Sequence, residues 1–293
     1  MKSIINHYYN LYPTDIKEEN DNYYFIINDK SFVLHIYLEN IKNLDDLVKV
    51  SNELVSIDKN FSSFIKTINN EFYIKHNDNY YCLLLINNKN KININTIVNF
   101  LLYKQFIKEN TKKIDWNILW GKRVDEIEKK LIEYNLEYPL VILSASYYIG
   151  LAENAIAYFN NIEHISNNIT LVHKRLNKEM DFYNPLNIMY DYNIRDISEY
   201  IISSFFKDDI DLNSIFSSIS RLGLSSYDYQ LLYSRLLYPS YYFDMIEKIM
   251  NDEIPINNLY NIIDKVSQYE LLLKEVIIYI KSSYFIESIE WLE

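Results

Sequence analysis

Between Tyr23 and Tyr37 the apolar residues fall in two short blocks, Tyr23-Tyr-Phe-Ile-Ile27 and Phe32-Val-Leu-His-Ile-Tyr37, on either side of Asn28-Asp-Lys-Ser31. Both blocks are rich in β-branched and aromatic side chains, and Asn and Asp tolerate the left-handed backbone of a tight turn, so the pattern predicts a hairpin. From Leu44 to Ile57 the spacing changes. Leu44, Leu47, Val48, Val50, Leu54 and Ile57 recur at helical intervals, with Asp45 and Asp46 in the first turn and Asn43 as the expected cap. Three more strands are predicted over 61–68, 71–75 and 80–86, the last two joined by His76-Asn-Asp-Asn79 as a second hairpin. The order is strand, strand, helix, strand, strand, strand.

From about Ile94 the period is helical. Val98, Leu101, Leu102 and Phe106 form one stripe, and Val124, Ile127, Leu131 and Tyr134 form another that Pro139 is expected to stop. Helix is predicted again over 227–250, interrupted at Pro239, and along Val266, Tyr269, Leu273, Val276 and Ile280. The change of period falls in Asn87-Asn-Lys-Asn-Lys-Ile-Asn93. The chain therefore divides near Lys91 into a β-rich part, 1–91, and a helical part, 92–293. The fold class is α+β.

Composition removes several functions. The chain has 293 residues, 29 basic against 40 acidic, for a net charge of −11. That field is the wrong sign for a nucleic-acid backbone or an anionic membrane surface. Three glycines are present, Gly121, Gly150 and Gly223, where about twenty would be average. No Walker loop, dinucleotide fingerprint or nucleophile elbow can be assembled from them. The lone Cys82 cannot close an internal disulfide, and the five histidines show no metal-binding spacing. The longest uncharged run, 138–152, is broken by serines and short for a bilayer, so a soluble cytoplasmic protein without membrane insertion is expected. The 29 tyrosines, with abundant Asn, Ile and Lys, share A/T-rich codons and are read as genome bias.

Three segments carry a more specific signal: Trp116-Asn-Ile-Leu-Trp-Gly-Lys-Arg-Val-Asp125, Tyr147-Tyr-Ile-Gly-Leu-Ala-Glu-Asn-Ala-Ile-Ala-Tyr158, and Leu171-Val-His-Lys-Arg-Leu176 paired with Tyr190-Asp-Tyr-Asn-Ile-Arg-Asp-Ile-Ser-Glu-Tyr200. With Leu231-Leu-Tyr-Ser-Arg-Leu-Leu-Tyr-Pro-Ser-Tyr-Tyr-Phe243, they resemble the endospore coat kinase-like proteins of the YutH and CotS type. The resemblance implies a two-lobe protein-kinase-like fold related to aminoglycoside and choline phosphotransferases, a small mixed β lobe with one helix followed by a larger helical lobe. It also implies synthesis in the cytoplasm, deposition in the spore coat and other coat proteins as partners.

Phosphotransfer in that fold needs a loop carboxylate to orient the acceptor hydroxyl, an Asn and a second carboxylate for magnesium, and a small-lobe lysine for the phosphates. By the resemblance, His173 opens the loop, but Arg175 stands where the carboxylate is due and Met180 where the Asn is due, with Asn177 and Asn184 off the required spacing. A guanidinium cannot serve as a base. Asp181-Phe182 imitates the metal-binding Asp-Phe but follows His173 too closely, and Asp191 and Asp196 fall in the segment that opens a structural helix, where capping and ion pairing are their expected roles. On the small lobe, His35 or Tyr37 replaces the lysine. The expectation is a catalytically silent scaffold with no catalytic residue, metal or cofactor, in which Asp181, Asp191 and Asp196 are the candidate binding residues. The alternative is an active small-molecule phosphotransferase using ATP and magnesium through a rearranged site of His173, Asp181, Asp191 and Asp196. A third reading is a regulator that binds nucleotide without transferring phosphate. Trp116 with Trp120 and Glu153 with Asn154 are read as packing and hydrogen-bonding residues, and 207–211 as a solvated loop or helix start.

Overall fold

Asn28 and Asp29 take φ of 49° and 61°, and Asn77 and Asp78 take 47° and 63°. Two consecutive left-handed residues give the turn whose twist suits an antiparallel hairpin, and each pair closes one. The computed structural model describes residues 1–19, 22–87, 91–109, 114–133, 139–166, 168–176 and 179–292. Its first elements are α1 (Lys2–Tyr9), β1 (Lys17–Glu19), β2 (Asn22–Ile27), β3 (Lys30–Tyr37), α2 (Leu44–Ile57), β4 (Ser63–Ile65), β5 (Ile74–His76) and β6 (Asn79–Ile86). All pairings in this sheet are antiparallel, in the order β1-β2-β3-β6-β4, with β5 also on β6.

Alternation along β3 divides the sheet's two faces. Phe32 and Leu34, with Phe25, Tyr81 and Leu83, pack on Ile5 and Tyr9 of α1. Val33 and Tyr37, with Cys82 and Leu84, pack on Leu44 and Val48 of α2. Fully buried side chains such as Leu34 and Leu83 each contribute about 1.5–3 kcal/mol relative to exposure. Neither α1 nor β1 is foreseen in the sequence reading. The cap of the α2 region also differs: Asn43 makes no side-chain cap bond, and Asn40 instead accepts from Lys42 N, capping a 3-10 turn over Ile41–Asn43 that leads into the helix.

The chain forms two compact units. The first holds residues 1–92 together with a later segment, His173–Ile188. That segment is tied to the earlier residues by the Ser62 N donor to Tyr183 O at 2.9 Å and by Phe61 packing edge-on against Tyr183 at 5.4 Å.

The second unit, 93–172 and 189–293, is helical. Its elements, with those of the returning segment in chain order, are α3 (Ile94–Leu101), α4 (Trp116–Glu133), α5 (Pro139–Asn160), β7 (Thr170–His173), α6 (Glu179–Phe182), β8 (Ile188–Asp191), α7 (Ile194–Phe206), α8 (Leu212–Ile219), α9 (Ser226–Leu237), α10 (Ser240–Met250), α11 (Tyr260–Ile263) and α12 (Val266–Lys281). β7 and β8 form a two-stranded sheet. Capping boxes at Asn93/Thr96 and Ser225/Asp228 start α3 and α9. Pro239 separates α9 from α10 as its missing N–H requires.

α4 ends at Glu133, ahead of Pro139, and Pro139 itself opens α5. Proline fits a first helical turn, where its absent N–H would have had no partner. Tyr134 and residues 88–90 of the Asn-rich stretch lie outside the described residues. α5 also outlasts the uncharged run: its 22 residues are long and apolar enough to cross a membrane by length and composition. It turns Val141, Ala145, Tyr148, Leu151, Ala152, Ala155 and Phe159 inward and packs that one face on α4 and α9, with 33% of its apolar stretch buried.

Candidate functional site

The returning segment of the first unit is organised by two asparagines. His173, at the end of β7, is fully buried; its Nε2–H donates to the Phe182 carbonyl at 2.9 Å and its ring stacks on Phe182 at 4.6 Å. Lys174 N donates to Asn187 O at 2.7 Å. Asn187 Nδ2 then donates to the carbonyls of Arg175 at 2.6 Å and Asp181 at 2.9 Å, while its Oδ1 accepts from Arg175 N at 3.3 Å. A single amide thus holds both arms of the loop. Asn184 Oδ1 accepts from Leu186 N at 3.0 Å, and its Nδ2 donates to His35 Nε2 at 3.3 Å. That bond and the burial that pushes the His35 pKa down to about 4 both favour the neutral ring.

A cavity of about 820 Å3 lies within this unit, lined from β3 by Val33, His35 and Tyr37 and from the returning segment by Lys174, Arg175, Asp181 and Asn184. His35 and Tyr37 share the α2 side of β3 with Val33. Burial, followed by the charge of Glu39, pushes the Tyr37 phenol up to about 12. Lys174 pairs with Glu39 and donates to Leu186 O at 2.8 Å. Arg175 folds back on its own loop, its Nη1 donating to Lys174 O at 3.0 Å. It is a permanent cation and no proton acceptor. Asn177 lies outside the described residues.

The other two candidate carboxylates belong to the second unit. Asp191 is 1% exposed and accepts on both oxygens: Oδ1 from Tyr192 N at 2.8 Å and Trp116 Nε1 at 3.1 Å, Oδ2 from Arg195 Nη1 at 2.8 Å and Trp116 Nε1 at 3.2 Å. Asp196, in the first turn of α7, is fully buried. Beside them the Arg235 guanidinium lies over the Trp116 ring at 4.8 Å and pairs with Glu199 at 3.0 Å, both partners buried. Trp116 and Trp120 stack tilted at 5.4 Å in the same core. A magnesium ion wants carboxylate and water oxygens in a near-octahedral set, and on Asp191 it would have to displace a guanidinium, an indole and a backbone amide. The donor set around Asp191 does not fit that ion. Among the described residues no cluster of three or more His, Cys, Asp or Glu side chains is placed to hold a metal.

Ion pairing is the role the sequence leads one to expect of Asp191, and the turn from the end of β8 into α7 brings it to Arg195. The roles of Asn184 and Asn187 are not legible in a chain where asparagine is everywhere, and nothing in sequence joins Trp116 to Asp191.

Residues 2–276 match the family described as "Spore coat putative kinase YutH". The chain belongs to the YutH family. The endospore coat-associated protein YutH of Bacillus subtilis (strain 168) is 31% identical over 153 residues, a stretch that covers 45% of this chain and 45% of that relative. Among solved structures, an aminoglycoside phosphotransferase from Alicyclobacillus acidocaldarius matches with a TM-score of 0.66 at 12% identity over 94% of each chain. A spectinomycin phosphotransferase in complex with ADP and spectinomycin matches at 0.57 and 9% identity, over 97% of this chain and 94% of its own. An amicoumacin kinase bound to AMP-PNP and calcium matches at 0.52 and 12% identity, over 87% and 93%. At such identities the likeness shows the fold: this YutH-family chain has the α+β, protein-kinase-like architecture, an antiparallel-sheet part followed by a larger helical part.

Proposed function

We propose that this chain is a catalytically silent kinase-like protein that serves the spore coat or its assembly as a binding scaffold. The observation that carries the reading is the state of Asp191, whose two oxygens are saturated by Trp116, Tyr192 and Arg195 in a buried network. Arg175 supports it from the first unit, a fixed cation where the loop carboxylate of a phosphotransferase is due. The small-lobe lysine is likewise replaced, by His35 or Tyr37. The coat-associated relative supports deposition in the spore coat after synthesis in the cytoplasm, with other coat proteins as partners. Nucleic acid and membrane insertion have no part in this reading.

One observation favours a second reading, an ATP- and magnesium-dependent small-molecule phosphotransferase using His173, Asp181 and Asp191. The cavity lined by Asp181 is large enough, at about 820 Å3, for a drug-sized ligand. The two are separated by incubating the purified chain with γ-labelled ATP, magnesium and a panel of aminoglycoside and amino-alcohol acceptors. The scaffold reading expects no labelled product above a protein-free blank; acceptor-dependent product overturns it.

A further inference from the structure

The second unit carries an apolar groove that its own core leaves open. The start of α8 brings Leu212 and Phe216 to one wall and α12 brings Leu272, Ile278 and Tyr279 to the other, around a volume of about 620 Å3. The floor is rigid, because the rings of Phe216 and Tyr279 stack at 3.7 Å. The mouth is apolar and wet: Ile278 is 66% exposed, and Leu271, on the same face of α12, is 58% exposed. Positions 271, 275 and 278 are neighbours on a helix surface, so on the open side Glu275 stands between the exposed apolar Leu271 and Ile278.

The two charged residues that line the groove have one sign. Asp211 and Glu275, both exposed, line it, and no lysine or arginine does. Lys207 and Asp209 precede Asp211 in the same exposed stretch, Asp208 is paired with Lys265, and Lys274 and Lys281 stand on α12 outside the lining. A second copy of a chain with net charge −11, or an anionic lipid surface, would meet this rim with like charge. We propose that the groove docks a basic amphipathic helix of a protein partner, its apolar side chains at i, i+3 or i+4 and i+7 seated on Leu212, Ile278 and Tyr279, and its Lys or Arg flank facing Asp211 and Glu275. The inference rests on the scaffold reading and gives that scaffold a docking face.

The test uses the full chain and a fluorescein-labelled synthetic Leu/Lys amphipathic peptide about 18 residues long, five helical turns, with a Leu/Glu peptide of the same pattern as control. Fluorescence anisotropy is expected to show saturable binding of the Leu/Lys peptide, weakened by added salt, and none of the Leu/Glu peptide. Ile278→Asp and Glu275→Lys, both at exposed positions, are each expected to weaken binding about tenfold or more. Leu143→Asp, at an exposed site elsewhere in the unit, is expected to leave it unchanged, with circular dichroism confirming the fold of all three. Lack of saturable binding, equal binding of the acidic peptide, or binding indifferent to Ile278→Asp overturns the proposal. So does a wild-type dimer in sedimentation that Ile278→Asp dissociates, which would assign the groove to a second copy. Phosphate transfer from ATP is scored separately: it sinks the scaffold reading whatever the peptide does, and a peptide failure without transfer sinks the groove alone.

Discussion

Replacing Asp191 with Ala separates a structural carboxylate from a metal-binding one. The substitution takes away the acceptor that Trp116 Nε1, Tyr192 N and Arg195 share. An exposed i,i+4 ion pair contributes about 0.3–0.5 kcal/mol, but that value does not apply at a carboxylate 1% exposed facing an arginine side chain 12% exposed. Removing one partner of a buried pair costs about 3–5 kcal/mol, because the other charge stays in low dielectric. The indole N–H left behind falls within the same loss, since relaxation and water entry are shared. The expected destabilisation is about 3–5 kcal/mol. Urea unfolding in chelator-treated buffer, followed by the fluorescence of Trp116 and Trp120 in the same core, measures it. An Arg195→Ala, Asp191→Ala double variant should lose less than the sum of the singles, by about 0.5–3 kcal/mol. A loss below about 1 kcal/mol, or magnesium-dependent stabilisation of the wild type that Asp191→Ala abolishes, would refute the structural assignment.

On the scaffold account, Arg175→Asp alone is expected to leave ATP turnover at the blank level, because one new carboxylate supplies neither a lysine on β3 nor magnesium ligands; turnover in that variant, measured by labelled phosphate release, would contradict the account. His35, held neutral with its pKa near 4 against an ordinary 6.5, lets the unfolded chain take up a proton first as pH falls. Stability is therefore whole above pH 6.5 and declines between 6.5 and 4, by at most about 3 kcal/mol. His35→Gln should flatten that decline in urea titrations at pH 7 and 4.5, and an unchanged slope would clear His35 of it. Asn187→Ala, which frees the Arg175 and Asp181 carbonyls, should cost about 1–3 kcal/mol and speed amide exchange over 174–187; exchange confined to other segments would speak against its loop-holding role. Asp78→Gly relieves a left-handed Asp, φ 63°, whose ion pair with Lys75 is exposed and contributes little. It should raise stability by up to about 1 kcal/mol, and a clear loss in thermal unfolding would show that the turn needs the carboxylate.

Local patterns made much of the fold legible. The Asn28-Asp29 and Asn77-Asp78 turns, the α2 stripe, the break at Pro239 and the α12 stripe are each written in neighbouring residues, and the resemblance carried by the Trp116, Tyr147 and His173 segments led to the family. What the sequence hides depends on distant partners. α1 buries Ile5 and Tyr9 against the sheet, and a helix of eight residues is held by that packing rather than by its own propensity. β1 is Lys17-Glu-Glu19, charged and without alternation, and its pairing with β2 makes it a strand. At the candidate site, the reading of Arg175 as standing where a loop carboxylate is due comes from the resemblance alone. The closure of the loop by Asn187 and the capture of Asp191 by Trp116 were not readable in one dimension, since the latter pair is 75 residues apart.

Calorimetric titration of the purified chain with ATP, in magnesium and again in chelator, tests catalytic silence most directly because it needs no knowledge of an acceptor. The scaffold account predicts no magnesium-dependent gain in affinity, as Asp191 has no oxygen to offer and Arg175 replaces the loop carboxylate. Micromolar binding that requires magnesium and disappears in Asp181→Asn or Asp191→Asn would contradict it and return the chain to the working phosphotransferases.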